Sequence, residues 1–170
     1  PDDGVHIRWP DGPVEQEQRL ISVKLKAAQA FAHENNLDYI SHPVSKKRLG
    51  IVAPGKAWLN VCQAFEELGL DSRGREELGI GVFKVGMPWP LEPRKIRQWA
   101  EGFSEIIVIE EKRNLIEDQL ARVLFDLRQN VRPKLIGKYD ADGGLLVPEF
   151  GELNGTLIAQ IIANRFLDES

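Results

Sequence analysis

Apolar residues fall along this chain in two alternating patterns, and the alternation lays out the elements. Over residues 15–36, Ile21, Leu25, Ala28 and Ala32 recur at i, i+4, i+7 and i+11, and Leu20, Ala27 and Phe31 widen the stripe. That spacing predicts an amphipathic helix, ended by Asn35-Asn36. Residues 38–41 read as a short strand, and the basic turn Ser45-Lys46-Lys47-Arg48 leads onward. A solvated turn is the plainer reading of those cations, and a partner patch is the other.

Leu49-Gly50-Ile51-Val52 is an apolar run stopped at Pro54-Gly55. Trp58, Val61, Cys62, Phe65 and Leu68 then share one helical face, with Gly69 just past its end. A shorter helical turn over residues 75–78 stops at Gly79. Val82-Phe83-Lys84-Val85 predicts the next strand and Met87-Pro88-Trp89-Pro90-Leu91 a stiff loop. Pro93 suits the first turn of a helix whose face holds Ile96, Trp99, Ala100 and Phe103. Ile106-Ile107-Val108-Ile109 is an unbroken run of β-branched residues, as a strand buried on both faces requires. Beyond it come a helix marked by Ile116, Leu120, Val123 and Leu127, and a strand over residues 134–138. A turn at residues 140–144 leads to a last helix capped by Asn154, with Leu157, Ile158, Ile161, Ile162 and Phe166 on its face.

Strand and helix alternating in this way predict parallel βαβ units in one three-layer α/β/α domain over residues 15–170. Residues 1–14 hold Pro1, Gly4, Pro10, Gly12 and Pro13 without periodicity and read as a linker. The chain opens without a methionine, which fits a segment of a longer polypeptide as well as it fits initiator removal.

Composition narrows the function. A length of 170 residues suits one domain. A net charge of −4 offers no basic face for nucleic acid. No apolar run is long enough to cross a membrane, and Pro1-Asp2-Asp3-Gly4 is the reverse of a signal peptide's start, so a cytoplasmic protein is expected. Cys62 is the single cysteine, too few for a disulfide or for the thiolates of an iron–sulfur cluster. His6, His33 and His42 are scattered, so neither a metal site nor a catalytic group is expected within the chain.

In an open parallel sheet, ligands and partners gather at the carboxyl ends of the strands where the strand order reverses. Gly55 and Lys56 follow one such end, at a helix N-terminus that attracts anions. The stretch lacks the first glycine of a P-loop and has Ala57 where Ser or Thr would hold magnesium, so a tight βα turn stands beside the anion-site reading. Pro88 and Pro90 pin Trp89 in a rigid loop, either to meet a partner or to cover the end of the sheet. Glu110 and Glu111 could do acid–base work, but Lys112 and Arg113 beside them are expected to hold both ionised, which favours an ion-pair cluster or interface. Asp140, Asp142 and Gly143 lack the downstream glutamate of a calcium loop.

Three stretches carry a resemblance: residues 49–56 (LGIVAPGK), residues 83–93 (FKVGMPWPLEP) and residues 107–113 (IVIEEKR) with Glu117 and Gln119 following. With Arg132-Pro133-Lys134, Ile136-Gly137-Lys138 and Gly151-Glu152-Leu153, they resemble the large chain of the indolepyruvate ferredoxin oxidoreductases, within the thiamine-diphosphate-dependent 2-oxoacid:ferredoxin oxidoreductase family. The likeness extends to Trp9-Pro10 and Lys24-Leu25-Lys26-Ala27, and so covers nearly the whole chain. It implies a transketolase C-terminal-type domain with five strands in the order 1-3-2-4-5, the first antiparallel and formed here by Tyr39 to Ser41. In that order Leu49–Val52 lies beside Ile106–Ile109, and Gly55, Lys56 and Glu110 to Arg113 share a crevice.

For the parent enzyme the resemblance implies oxidative decarboxylation of a 2-oxoacid to an acyl-CoA, with thiamine diphosphate, Mg2+, iron–sulfur clusters, coenzyme A as co-substrate and ferredoxin as electron acceptor. The magnesium motif of the family, Gly-Asp-Gly followed by Asn, is not in this sequence, so no cofactor is expected in the segment itself. Three roles remain open at this stage. One is a non-catalytic structural domain that orders other domains of the same chain and helps form a homodimer. Another is a crevice for an anionic group such as part of coenzyme A. The third is a free-standing flavodoxin-like nucleotide or signalling module.

Overall fold

The computed structural model describes residues 5–6, 11–140 and 142–167. Residues 1–4 and 7–10 of the expected linker, Trp9-Pro10 included, lie outside the described residues. Helix α1 (Pro13–Arg19) opens with a proline in its first turn. One turn of π-helix over Leu20–Lys24 joins it to α2 (Leu25–Glu34).

The sheet has five strands in the order β1-β3-β2-β4-β5. These are β1 (Tyr39–His42), β2 (Leu49–Pro54), β3 (Ile80–Val85), β4 (Glu105–Val108) and β5 (Lys134–Ile136). β1 runs antiparallel to β3, with Tyr39 opposite Lys84 and Ile40 opposite Phe83. The other pairs are parallel, and Val52 meets Phe83 on one side and Val108 on the other. This is the topology the resemblance implied. Its order reverses between β2 and β4, because the chain crosses one way to β3 and returns past β2 to β4.

Helices cover both faces. α3 (Gly55–Glu67), α4 (Ser72–Leu78) and α7 (Gly155–Leu167) lie on one side, where Ile51, Val61, Phe65, Val82, Ile107, Ile158 and Ile162 form a core. α5 (Pro93–Ala100) and α6 (Leu115–Phe125) lie on the other, where Val52, Phe83, Ile96, Trp99, Ile106, Val108 and Leu120 pack. Adjacent residues of β2 and β4 feed opposite cores, which explains their unbroken apolar runs.

Two expectations need correction. The strand expected over residues 134–138 leaves the ladder after Ile136. Lys138 instead donates its N–H to Glu117 Oε2 at 3.0 Å and accepts from Leu146 N and Val147 N, which turns the chain back. The stripe of the first helix is also largely uncovered. Of α1, the π turn and α2, only Ala32 is buried, while Leu20, Ile21 and Phe31 are exposed. Period marks an apolar face without saying what covers it.

Candidate functional site

The carboxyl ends of β2, β3 and β4 open into a crevice of about 330 Å³. Gly55, Lys56, Pro88, Glu110, Glu111 and Arg113 all line it. Of the eight residues singled out in the sequence, Trp89 and Lys112 stand outside its lining.

Each wall follows from local structure. α3 begins directly after β2, with Gly55 at φ +40°, a left-handed geometry that favours glycine, and no side chain caps that helix end. Lys56 reaches across to Glu152 Oε2 at 3.0 Å and Glu111 Oε1 at 3.4 Å. Those carboxylates, Glu152 first, hold the ammonium's pKa above its ordinary value.

Glu110 follows β4 by two residues and is only 4 % exposed. Its carboxylate accepts from Ile116 N at 2.9 Å and Glu117 N at 3.0 Å, and so caps α6, whose N-cap Asn114 makes no side-chain cap bond. Burial raises its pKa, against the pull of those N–H groups and of Lys138. Lys138 itself is 1 % exposed, and its ammonium donates to the carbonyls of Glu110 and, at 3.3 Å, Pro148. Burial lowers its pKa, opposed chiefly by Glu110.

The charge cluster is therefore not the one expected from adjacency. Lys112 and Arg113 do not hold the neighbouring carboxylates: Glu111 pairs with Lys56, and Glu110 is held by α6 backbone and by Lys138. Lys112 sits at φ +58° in the turn between β4 and α6. Both cations are exposed, and among the described residues neither forms an ion pair.

The loop bearing Trp89 is tied down at both ends. Gly86 N and Met87 N donate to Asp38 Oδ1 at 2.7 and 3.0 Å. Gln119 donates to Pro88 O and accepts from Leu91 N, both at 2.8 Å. The Trp89–Pro90 peptide is cis, and the Trp89 side chain stands 56 % exposed on this braced loop.

Sequence reasoning missed Lys138, Glu152, Gln119 and Asp38 as supports of this edge. Lys138 left a trace, a cation closing the apolar run Leu135-Ile136-Gly137. Glu152 left none, since its partner Lys56 lies 96 positions away. Cys62 is half-buried, and burial raises its thiol pKa, which suits the inert reading. Among the described residues, no three His, Cys, Asp or Glu side chains gather where they could hold a metal ion. None of the described helices is long and apolar enough to cross a membrane.

A family profile described as indolepyruvate oxidoreductase domain matches residues 40–170. The chain is 26% identical over 145 residues to indolepyruvate oxidoreductase subunit IorA of Methanothermobacter thermautotrophicus, a match covering 85% of this chain and 21% of that subunit. With the same-named subunit of Pyrococcus abyssi it shares 27% over 142 residues, 82% of this chain and 19% of the subunit. It thus spans about a fifth of the length of these relatives. Solved structures similar to it include a split-gene transketolase described as an inactive β4 tetramer, with TM-score 0.49 and 14% identity over 75% of this chain and 40% of that one. Another is 2-oxoglutarate:ferredoxin oxidoreductase from Magnetococcus marinus, at TM-score 0.48 and 13% identity over 85% of this chain and 23% of that one.

Proposed function

The chain belongs to the indolepyruvate oxidoreductase domain family, and from that membership we propose that it is a non-catalytic, inter-domain part of a longer cytoplasmic 2-oxoacid:ferredoxin oxidoreductase. The substrate proposed for that parent is indolepyruvate, decarboxylated oxidatively to an acyl-CoA as ferredoxin is reduced. Thiamine diphosphate, Mg2+ and iron–sulfur clusters are assigned to the rest of the longer protein, since this sequence has one cysteine and no Gly-Asp-Gly motif.

The state of the crevice carries this reading. Its inner ionisable groups are already committed, Glu110 to a helix cap and Lys56 to two carboxylates, and Lys138, outside the lining, is spent on two carbonyls. Beside it stand a braced Trp89 and the exposed Lys112 and Arg113, neither of them ion-paired among the described residues. Rigid aromatics and arginines are the side chains on which protein interfaces depend. The partners proposed are other domains of the same chain, with a second copy completing a homodimer.

Replacing Trp89 and Arg113 together by Ala in the longer protein tests the reading. Ferredoxin-dependent turnover is expected to fall by about tenfold or more, as loss of interface anchors implies, with the thermal midpoint of the 170-residue chain unchanged. Unaltered turnover and assembly would overturn it.

A second reading has one observation in its favour, the exposed Arg113 on the crevice wall, which makes no ion pair among the described residues. It makes the crevice a seat for an anionic group such as part of coenzyme A. Calorimetric titration of the chain separates the two. Saturable coenzyme A binding, lost in Lys56→Ala/Arg113→Ala, would establish the second reading, and the absence of heat is expected under the first.

A further inference from the structure

The carboxyl edge of the sheet carries exposed charge of both signs, kept apart by the fold. On one flank, in the turn between β4 and α6, stand Lys112 and Arg113, without an ion pair among the described residues. On the other is the segment after β5 over residues 139–152, which holds Asp140, Asp142, Glu149 and Glu152 and no cation. Among the described residues, only Glu152 of these four forms an ion pair, with Lys56. Asp140 closes its own turn, accepting from Asp142 N at 2.9 Å and from Gly144 N at 2.7 Å. Asp142 and Glu149 are exposed, and Glu149 accepts only from the Tyr139 hydroxyl, at 3.1 Å.

Lys56 joins the two flanks. Its ammonium lies 3.4 Å from Glu111, next to the cation pair in sequence, and 3.0 Å from Glu152, at the end of the acidic segment. That segment is held in shape from within. The Lys138 carbonyl accepts from Leu146 N and Val147 N, and its ammonium donates to Pro148 O. Val147 and Leu153 are buried in the core, and Asn60 Nδ2 donates to Leu153 O at 2.8 Å. Between those two pins Phe150 stands 78 % exposed. A large side chain on a braced loop loses little freedom when a partner covers it.

Neither flank meets its opposite sign within the fold, yet each complements the other. A two-fold axis passing near Lys56 would bring the cations of one copy onto the carboxylates of the second, and the reverse. Contacts in which i meets j and j meets i are what close a dimer. We propose that in the longer protein two copies meet through this edge, Lys112 and Arg113 of each against Asp142 and Glu149 of the other, with Trp89 and Phe150 as the apolar anchors. A copy carries both signs at the required separation by construction, and opposed patches of this kind fix the register of an interface. This inference rests on the homodimer proposed above and names its surface.

The test is carbodiimide cross-linking, which joins a carboxylate to a lysine amine only where the two touch. Two differently tagged copies of the longer protein are produced together and purified through both tags. One carries Asp142→Asn/Glu149→Gln and keeps Lys112, and the other carries Lys112→Arg and keeps both carboxylates. A link between Lys112 and either carboxylate must then cross from one copy to the other. The expected result is that link, identified by peptide mass spectrometry. Adding Arg113→Glu to the first copy sets like charges together and should lower its yield by about tenfold or more. All the altered side chains are exposed, so the thermal midpoints should not move. Copies that do not purify together would overturn the homodimer and this surface with it. Copies that do so without the link, or with a yield that Arg113→Glu leaves unchanged, would overturn this surface alone.

Discussion

Glu110 shows how far a residue's chemistry depends on what folding brings to it. In sequence it stands one position from Glu111 and two from Lys112, which suggests a surface ion-pair cluster. In the fold it is buried, and its oxygens reach the first N–H groups of α6. Burial raises its folded pKa above the value of about 4.3 for an unfolded glutamate. The sign of the linkage follows: folding favours the protonated form, so the associated stability is fully present below the unfolded pKa and is lost as pH rises through the folded one. The stability of the native protein minus that of Glu110→Gln should therefore shrink from acidic to neutral pH. Thermal melts of both proteins across that range measure it, and a difference that widens with pH would contradict the assignment. That Glu110 lies just past the central strand was legible in the sequence. Its partner Lys138 was not, because 28 positions separate them and only the sheet brings them together.

At the scale of elements, the strands were the most legible part because their signal is local. Val52 and Ile51, or Ile106 and Ile107, serve opposite cores, so the runs are apolar without interruption. Gly50 sits in the midst of this packing, where an added Cβ would lie 2.9 Å from both Ile106 Cγ1 and Trp99 Cη2. Gly50→Ala should destabilise the protein by about 1–3 kcal/mol, the ordinary cost of overpacking. Chemical denaturation reads this directly, and an unchanged midpoint would show that α5 yields easily. The first helix was legible only in part. Its period was visible, but the π turn over Leu20–Lys24 was not, and the stripe gave no sign that Ile21 and Phe31 would face outward. What covers a helix is a tertiary fact that its own period does not record.

For the whole molecule, the strand order and the family were both legible, the order through the resemblance rather than through any spacing. Val14, Leu20, Ile21 and Phe31 are exposed apolar side chains on α1, the π turn and α2, the kind of surface the proposed inter-domain role requires. Weak self-association of the isolated chain is expected. Sedimentation velocity should show a coefficient that rises with concentration and becomes constant in Ile21→Glu/Phe31→Glu. A strict monomer at high concentration would count against this. The most direct test of the inter-domain role is hydrogen exchange at residues 86–89 and 111–115, in the 170-residue chain and in the longer protein. Burial of the Trp89 loop and the Lys112–Arg113 turn against a neighbour predicts exchange slowed by about tenfold or more in the longer protein, as protection from local opening requires. Equal rates in the two would show that this edge meets no other domain and would contradict the account.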